Sequence, residues 1–227
     1  MKATQDRIFL KGEADRYFLR NRKALVKKGK IDWPCNTLAL LDPAIRKKIK
    51  TVVELGCANG WRLARLRARM PGRYVGIEPS PEAVREGMRR YRGLELSTGT
   101  LEKNSLKEEF DLVVVSFVLH WVDRRTLARS IAGIDRVVKD GGYLLLSDFL
   151  PDAPSRRRYG HLPGQDVFTY KQDYADVFKA LNSYQELARL IFDADRYART
   201  TAPAPSRSRC MSVLLHKSLT GRYAAET

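Results

Sequence analysis

The sequence predicts a doubly wound α/β domain, and three observations carry that prediction. An apolar strand, TVVEL at 51–55, runs into the turn GCANG and then into a helix. Apolar runs of strand length recur at 73–78, 94–98, 110–116 and 143–149, with helix-like stretches between them. Strands that alternate with helices bury a parallel sheet between two helical layers. The chain has 227 residues, without an internal repeat or a linker long enough to separate domains. That length supports one large domain with a proper core.

The elements follow in order. After the first strand, Gly56 and Gly60 let the backbone approach a ligand closely. The second strand ends in Glu78, an acid suited to accept hydrogen bonds from a ribose diol. Ser80 is placed to cap the next helix, which opens with Pro81 at its first position. Leu94 to Thr98 reads as a third strand, and FDLVVVSFVLHW at 110–121 as a buried fourth strand running into a loop. Residues 124–139 form an amphipathic helix with Leu127, Ile131, Ile134 and Val138 on one face, stopped by Gly141 and Gly142. YLLLSDF at 143–149 is the fifth strand, and a helix is expected over 173–181.

The turn chemistry narrows the ligand. A dinucleotide site needs G-x-G-x-x-G, whose central glycine admits a pyrophosphate. Here Gly56 is followed by Cys57, Ala58, Asn59, Gly60 and Trp61, so the spacing does not fit. Glu54 stands two residues before the first glycine. An anion there is a poor neighbour for a pyrophosphate and a good one for a ligand bearing an ammonium and a sulfonium.

On these residues the chain resembles the class I S-adenosylmethionine-dependent methyltransferases of the bacterial small-molecule type. Their first motif is an acid, any residue, then a glycine-rich turn. Ala58 departs from the commoner middle glycine. The match covers roughly residues 50–150. It implies a Rossmann-like seven-stranded doubly wound sheet, mostly parallel, with an antiparallel C-terminal strand pair at 184–192 and 210–218. It also implies an N-terminal helical cover over residues 1–50, ahead of a cofactor-binding domain at 51–227. The implied cofactor is S-adenosylmethionine, with S-adenosylhomocysteine as product.

The resemblance also assigns residues. Glu54, Gly56, Cys57, Ala58, Asn59 and Gly60 would cradle the cofactor, with Glu78 and Pro79 at its ribose. Thr100, Leu101 and Glu102 would border the adenine, with Ser116, Phe117 and Trp121 nearby. EADRYFLRNR at 13–22 resembles the N-terminal segment of these enzymes. It would bring Arg20 to the methionine end of the cofactor and Tyr17, Asn21 and Arg22 to the acceptor. The loop at 150–175, rich in Pro, Gly, Arg and Tyr, follows the fifth strand and would lie over the site, so His161, Tyr170, Lys171 and Tyr174 are further acceptor contacts. His120 is the base candidate by position. Lys171 is a catalytic candidate if the acceptor is anionic.

Composition sets limits. The net charge is +16, and in residues 1–50 there are 14 Lys or Arg against 5 Asp or Glu. Such a surplus attracts an anionic substrate or a nucleic acid. Base-amino methyltransferases grip a flipped base with an Asn/Asp-Pro-Pro-aromatic motif after the fourth strand. Here that place reads SFVLHW. RNA methylation is therefore the second choice, behind transfer to O or N of a polar small molecule such as a sugar derivative, phosphonate or carboxylate. No cluster with metal-ligand spacing is present, and Ser116 stands where metal-dependent O-methyltransferases carry an acid. Three cysteines, Cys35, Cys57 and Cys210, fit reduced thiols in the cytoplasm. No apolar run of membrane-spanning length occurs, so no membrane partner is expected. The oligomeric state is left open, a dimer included.

Overall fold

The computed structural model describes residues 5–25, 31–195, 198–199, 205–220 and 223. The strands are β1 (Thr51–Leu55), β2 (Arg73–Glu78), β3 (Glu95–Thr98), β4 (Phe110–Ser116), β5 (Val138–Phe149), β6 (Ser155–Arg158), β7 (Phe168–Lys171), β8 (Tyr184–Asp193), β9 (Ala198–Arg199) and β10 (Arg209–Lys217). The main sheet runs β3-β2-β1-β4-β5-β10-β8-β9, while β6 and β7 form a separate antiparallel hairpin. The first five strands in that order pair in parallel, and β10 lies antiparallel between β5 and β8. The sheet is thus the expected seven-stranded one, extended by the two-residue edge strand β9.

The helices are α1 (Gln5–Ile8), α2 (Ala14–Leu25), α3 (Trp33–Leu38), α4 (Pro43–Arg46), α5 (Trp61–Arg67), α6 (Pro81–Arg90), α7 (Leu127–Val137) and α8 (Ala175–Lys179). Val113 and Val115 of β4 face one core, with Ile131, Ile134 and Val137 of α7 and Phe178 of α8. Leu112 and Val114 face the other, with Leu38 of α3, Leu63 and Leu66 of α5, and Val84 of α6. Both faces are buried, which is why residues 112–115 of β4 are apolar without alternation. Ser80 caps α6 as expected, its hydroxyl accepting from Ala83 N at 3.0 Å. α2 packs on α6, while α3 packs on β5, β8 and β10.

Two boundaries differ from expectation. The helix predicted over 124–139 occupies Leu127–Val137, and β5 begins at Val138 instead of Tyr143. Val138 is extended and pairs with Phe110 of β4. Sheet pairing therefore claims residues that the helical pattern would have kept, and Gly141 and Gly142 fall inside the strand. The helix expected over 173–181 is the shorter α8, and residues 1–4 and 26–30 of the expected N-terminal cover lie outside the described residues.

Candidate active site

A cavity of about 900 Å³ opens at the carboxyl ends of β1, β2, β4 and β5. This is where open α/β sheets bind ligands. The turn after β1 forms one wall. Gly56 N and Cys57 N both donate to Ile77 O, at 2.7 and 3.1 Å, which ties the turn to β2. Gly56 has φ +80° and Ala58 has φ +51°. Alanine in that left-handed region is strained, and Ala58 is held there by donating its N–H to Glu78 Oε2 at 2.8 Å. Glu78 Oε1 accepts from Ser80 N at 3.0 Å. Two backbone donors thus fix this carboxylate at the cavity wall, with lone pairs left for a diol.

Glu54 is buried beneath the turn. One of its oxygens pairs with the Arg62 guanidinium, whose Nε also reaches Asp32 Oδ1 at 3.1 Å. Asp32 in turn accepts from the Cys35 thiol at 3.1 Å. With both acids ionised, this cluster carries one uncompensated negative charge. Glu54 Oε2 is buried without a partner among the described residues. The residues present therefore fit a ligand that brings a diol to Glu78 and a cation to Glu54.

Burial pushes both Glu54 and Glu78 up to about 7, although Arg62 acts against it at Glu54 and the backbone donors act against it at Glu78. An acid whose pKa is raised on folding binds its proton more tightly folded than unfolded. The unliganded protein is therefore expected to lose stability as pH rises from about 4.5 to about 7. Thermal melts at pH 5 and pH 8 check this, and Glu78→Gln should flatten the difference. Equal pH differences in wild type and variant would refute the assignment to Glu78.

At the far end of the cavity lie Thr100, Leu101 and Glu102. Thr100 closes its own turn, accepting from Lys103 N at 3.0 Å, and Glu102 is bridged to Arg129 at 2.8 Å. The loop after β4 supplies Phe117, His120 and Trp121. Phe117 has φ +58°, a strained conformation for a bulky residue, of the kind that collects at functional sites. The His120 ring is buried, and its Nδ1 lies 2.8 Å from Asp148 Oδ1. An ionised carboxylate only accepts, so in the neutral ring it selects the tautomer with the proton on Nδ1 and the lone pair on Nε2. Phe149, Phe117 and Trp121 surround the imidazole, with ring centroids 5.0, 6.3 and 4.9 Å away.

The remaining walls come from α2, through Tyr17, Phe18 and Asn21, and from the hairpin and its loop, through Arg157, Tyr159, His161, Thr169 and Lys171. The two walls are joined at Glu13. Its carboxylate is fully buried and accepts from Arg16 Nε at 2.9 Å, Arg20 at 2.5 Å and the Tyr159 hydroxyl at 2.8 Å.

Most of the expected site residues therefore converge on one cavity: Glu54, Gly56, Cys57, Ala58, Glu78 and Pro79; Thr100, Leu101, Glu102, Ser116 and Phe117; His120, Trp121, Tyr17, Asn21, His161 and Lys171. Six do not line it. Arg20 is held by Glu13 and Tyr159 behind the wall. Arg22 faces away, 3.7 Å from Glu86. Asn59 is buried and donates to the same Glu86 at 2.9 Å. Gly60 starts α5 with φ +74°, and a Cβ there would meet Leu94 at 2.9 Å, so it serves packing. Tyr174 is fully buried in the core, and its hydroxyl donates to Tyr170 O at 2.7 Å. The Tyr170 ring lies against Arg124, on the other side of the hairpin from the cavity-facing residues.

Among the contributors not singled out from sequence are Asp32, Arg62, Arg157, Asp148 and Phe149. Asp148, in SDF at the end of β5, carried a usable signal, since an acid closing an apolar parallel strand faces the ligand end of the sheet. Asp32 and Arg62 pair across 30 positions, which no local pattern reveals.

Comparison with known proteins agrees with this geometry. The family model described as a methyltransferase domain matches residues 52–142. A phthiotriol/phenolphthiotriol dimycocerosates methyltransferase of Mycobacterium ulcerans is 25% identical over 150 residues, 63% of this chain and 55% of that protein. A trans-aconitate 2-methyltransferase of Mycobacterium tuberculosis is 35% identical over 77 residues, 34% of this chain and 29% of that one. The matches thus span about half of the first relative and under a third of the second. Among solved structures, the N-methyltransferase NodS of Bradyrhizobium japonicum in complex with S-adenosylhomocysteine superposes with a TM-score of 0.56 at 16% identity, over 88% of this chain and 87% of that one. The matched stretch runs from β1 into β5 and so includes the glycine turn, Glu78 and the loop after β4. Over that stretch the chain matches a methyltransferase domain, and its strand order gives it the fold of the solved methyltransferase.

Proposed function

We propose that this protein is an enzyme that transfers the methyl group of S-adenosylmethionine to a hydroxyl or amine of a polar small molecule. The observation that carries this is the meeting, in one cavity, of the glycine turn with Glu78 and the buried His120–Asp148 pair. Glu78 would accept from the ribose diol, Glu54 Oε2 would receive the methionine ammonium, and Thr100 to Glu102 would border the adenine. When bound, the cofactor supplies an electrophilic methyl whose bond to sulfur breaks as the bond to the acceptor forms.

The chain's own residues do the rest. Asp148 holds the His120 ring, so that Nε2 can take the acceptor's proton. Phe117, Trp121 and Phe149 keep water from the reacting atoms. The segment 1–50 acts as a cover on the domain at 51–227, through Tyr17 and Asn21 of α2. Among the described residues no helix is long and apolar enough to cross a membrane, and the three cysteines are free and buried. We place the enzyme in the cytoplasm on that basis.

The relatives support a small acceptor, since trans-aconitate is the substrate named for one of them. Methylation of RNA is favoured by the charge of +16 and by a similarity to an mRNA cap guanine-N(7) methyltransferase of Eremothecium gossypii, 27% identical over 64% of this chain and 39% of that one. Against it, α2 and the hairpin wall the cavity from two sides.

Calorimetry with S-adenosylhomocysteine tests the proposal. A hydrogen bond to a charged acceptor contributes roughly 1.5–3 kcal/mol, so Glu78→Ala should weaken binding about tenfold or more. No binding by wild type, or equal affinity in the variant, would defeat it.

A further inference from the structure

We propose that the β6–β7 hairpin holds an anion subsite, in which Arg157 and Lys171 bind a carboxylate or phosphate that the acceptor carries in addition to the hydroxyl or amine that is methylated. This rests on the methyltransferase function proposed above and specifies its substrate class.

The hairpin register sets up the pair. Arg157 lies opposite Thr169, and Lys171 is two residues further along the same strand. Side chains alternate across a strand, so the three share one face, and all three line the cavity. The other face is occupied differently. Arg156 and Arg158 both stack on Phe168 at 5.1 Å, and Arg158 also reaches Asp166 at 3.4 Å. The hairpin therefore packs two arginines on Phe168, of which Arg158 also reaches the rim of the cavity, and turns Arg157 and Lys171 to the ligand from its other face.

Neither cation is held in an ion pair: among the described residues no carboxylate pairs with Arg157 or with Lys171. The Lys171 ammonium donates only to a backbone carbonyl, Arg207 O, at 3.2 Å. Burial lowers its pKa and the nearby Arg157 adds to that, while Cys210, Asp148 and Asp195 act in the other direction without outweighing burial. Two like charges side by side at the wall of a cavity are relieved by a bridging anion. A planar fork beside an ammonium suits a carboxylate or phosphate. Arg20 and Arg22 cannot serve here, because Glu13 and Glu86 hold them.

The subsite is set apart from the reacting end by one aromatic ring. Lys171 Nζ lies 3.7 Å from the Phe149 centroid, and the His120 ring centroid lies 5.0 Å from it. One acceptor molecule can thus place its anion on Lys171, an apolar or aromatic body along Phe149, and its reactive group at His120. An anion methylated directly would need no base. The Asp148 carboxylate that orients His120 would then have no work at the reacting end. The substrate class is a hydroxy- or amino-bearing acid whose acidic group stays unmethylated.

The test uses the full chain saturated with S-adenosylhomocysteine. Benzoate, phenyl phosphate and neutral benzamide are titrated as probes by calorimetry. One of the anions should bind at least tenfold more tightly than benzamide, and which of them wins names the group. The preference should vanish in Arg157→Ala/Lys171→Ala and persist in Arg156→Ala, with the affinity for S-adenosylhomocysteine unchanged in both. No preference in wild type, or one that survives the double variant, overturns the subsite. A wild type that fails to bind S-adenosylhomocysteine instead overturns the methyltransferase proposal beneath it. A second arm incubates the enzyme with a metabolite extract and methyl-labelled cofactor. Label that resists mild alkali is expected, as for an ether or amine. Label released as methanol marks a methyl ester and overturns the separation of anion and acceptor.

Discussion

Replacing His120 by alanine should lower kcat by roughly a hundredfold to ten-thousandfold, the usual range for removing a positioned general base. The Michaelis constant for the acceptor and the affinity for S-adenosylhomocysteine should change little, because the ring acts on a proton rather than on binding. Asp148→Asn should fall in the same direction by a smaller factor. The amide can donate to Nδ1 and so favour the tautomer whose Nε2 is protonated and useless as a base. Steady-state kinetics on the acceptor, with calorimetry of the cofactor product as control, reads both effects. Turnover near wild type in His120→Ala would mean that the acceptor arrives already anionic at the reacting atom.

Gly56→Val should abolish cofactor binding, weakening it beyond a hundredfold, while the protein still melts cooperatively. A Cβ at this position would lie 2.3 Å from Val118 Cγ2, and the backbone stands at φ +80°. Val118 lines the cavity and follows β4. The cheapest relief is to push its side chain into the space the ligand needs, so the damage falls on the cavity. Gly60→Val should behave differently. Its Cβ meets Leu94 at 2.9 Å and Leu96 at 3.3 Å, inside the core, so a lowered melting temperature should appear first. Normal cofactor affinity in Gly56→Val would remove the turn from the site.

The contrast between these two glycines shows what the sequence could and could not convey. The turn, Glu78 and the strand order were legible because each follows from local spacing: an apolar run, a break, a helix start. The cap at Ser80 was legible for the same reason. The roles of Arg20 and Arg22 were not. Both sit in a cationic helix, and charge alone cannot say which partner a long side chain will find. Glu13, at the head of the same EADRYFLRNR string, took Arg20, and Glu86 of the distant α6 took Arg22. Tyr170 and Tyr174 were misplaced by a different limit. A loop's composition shows that it is near a site, but the hairpin register decides which of its residues face inward, and one step along a strand reverses the side. That same register brings out Arg157, which looks in the sequence like the middle member of an arginine run.

Glu13 ties the fates of two segments together across generations. Its buried carboxylate is satisfied jointly by the N-terminal helix and by Tyr159 of the loop that joins the two hairpin strands. A substitution on either side removes part of what satisfies a buried charge, which is costlier than a changed surface contact. Sequence drift in the cover and in the acceptor-facing loop is therefore coupled. A descendant that adopts a new acceptor must change both together, whereas the glycine turn and Glu78 can stay as they are. New specificities in this lineage should accordingly arise by exchange of matched pairs of segments, not by point changes in one of them.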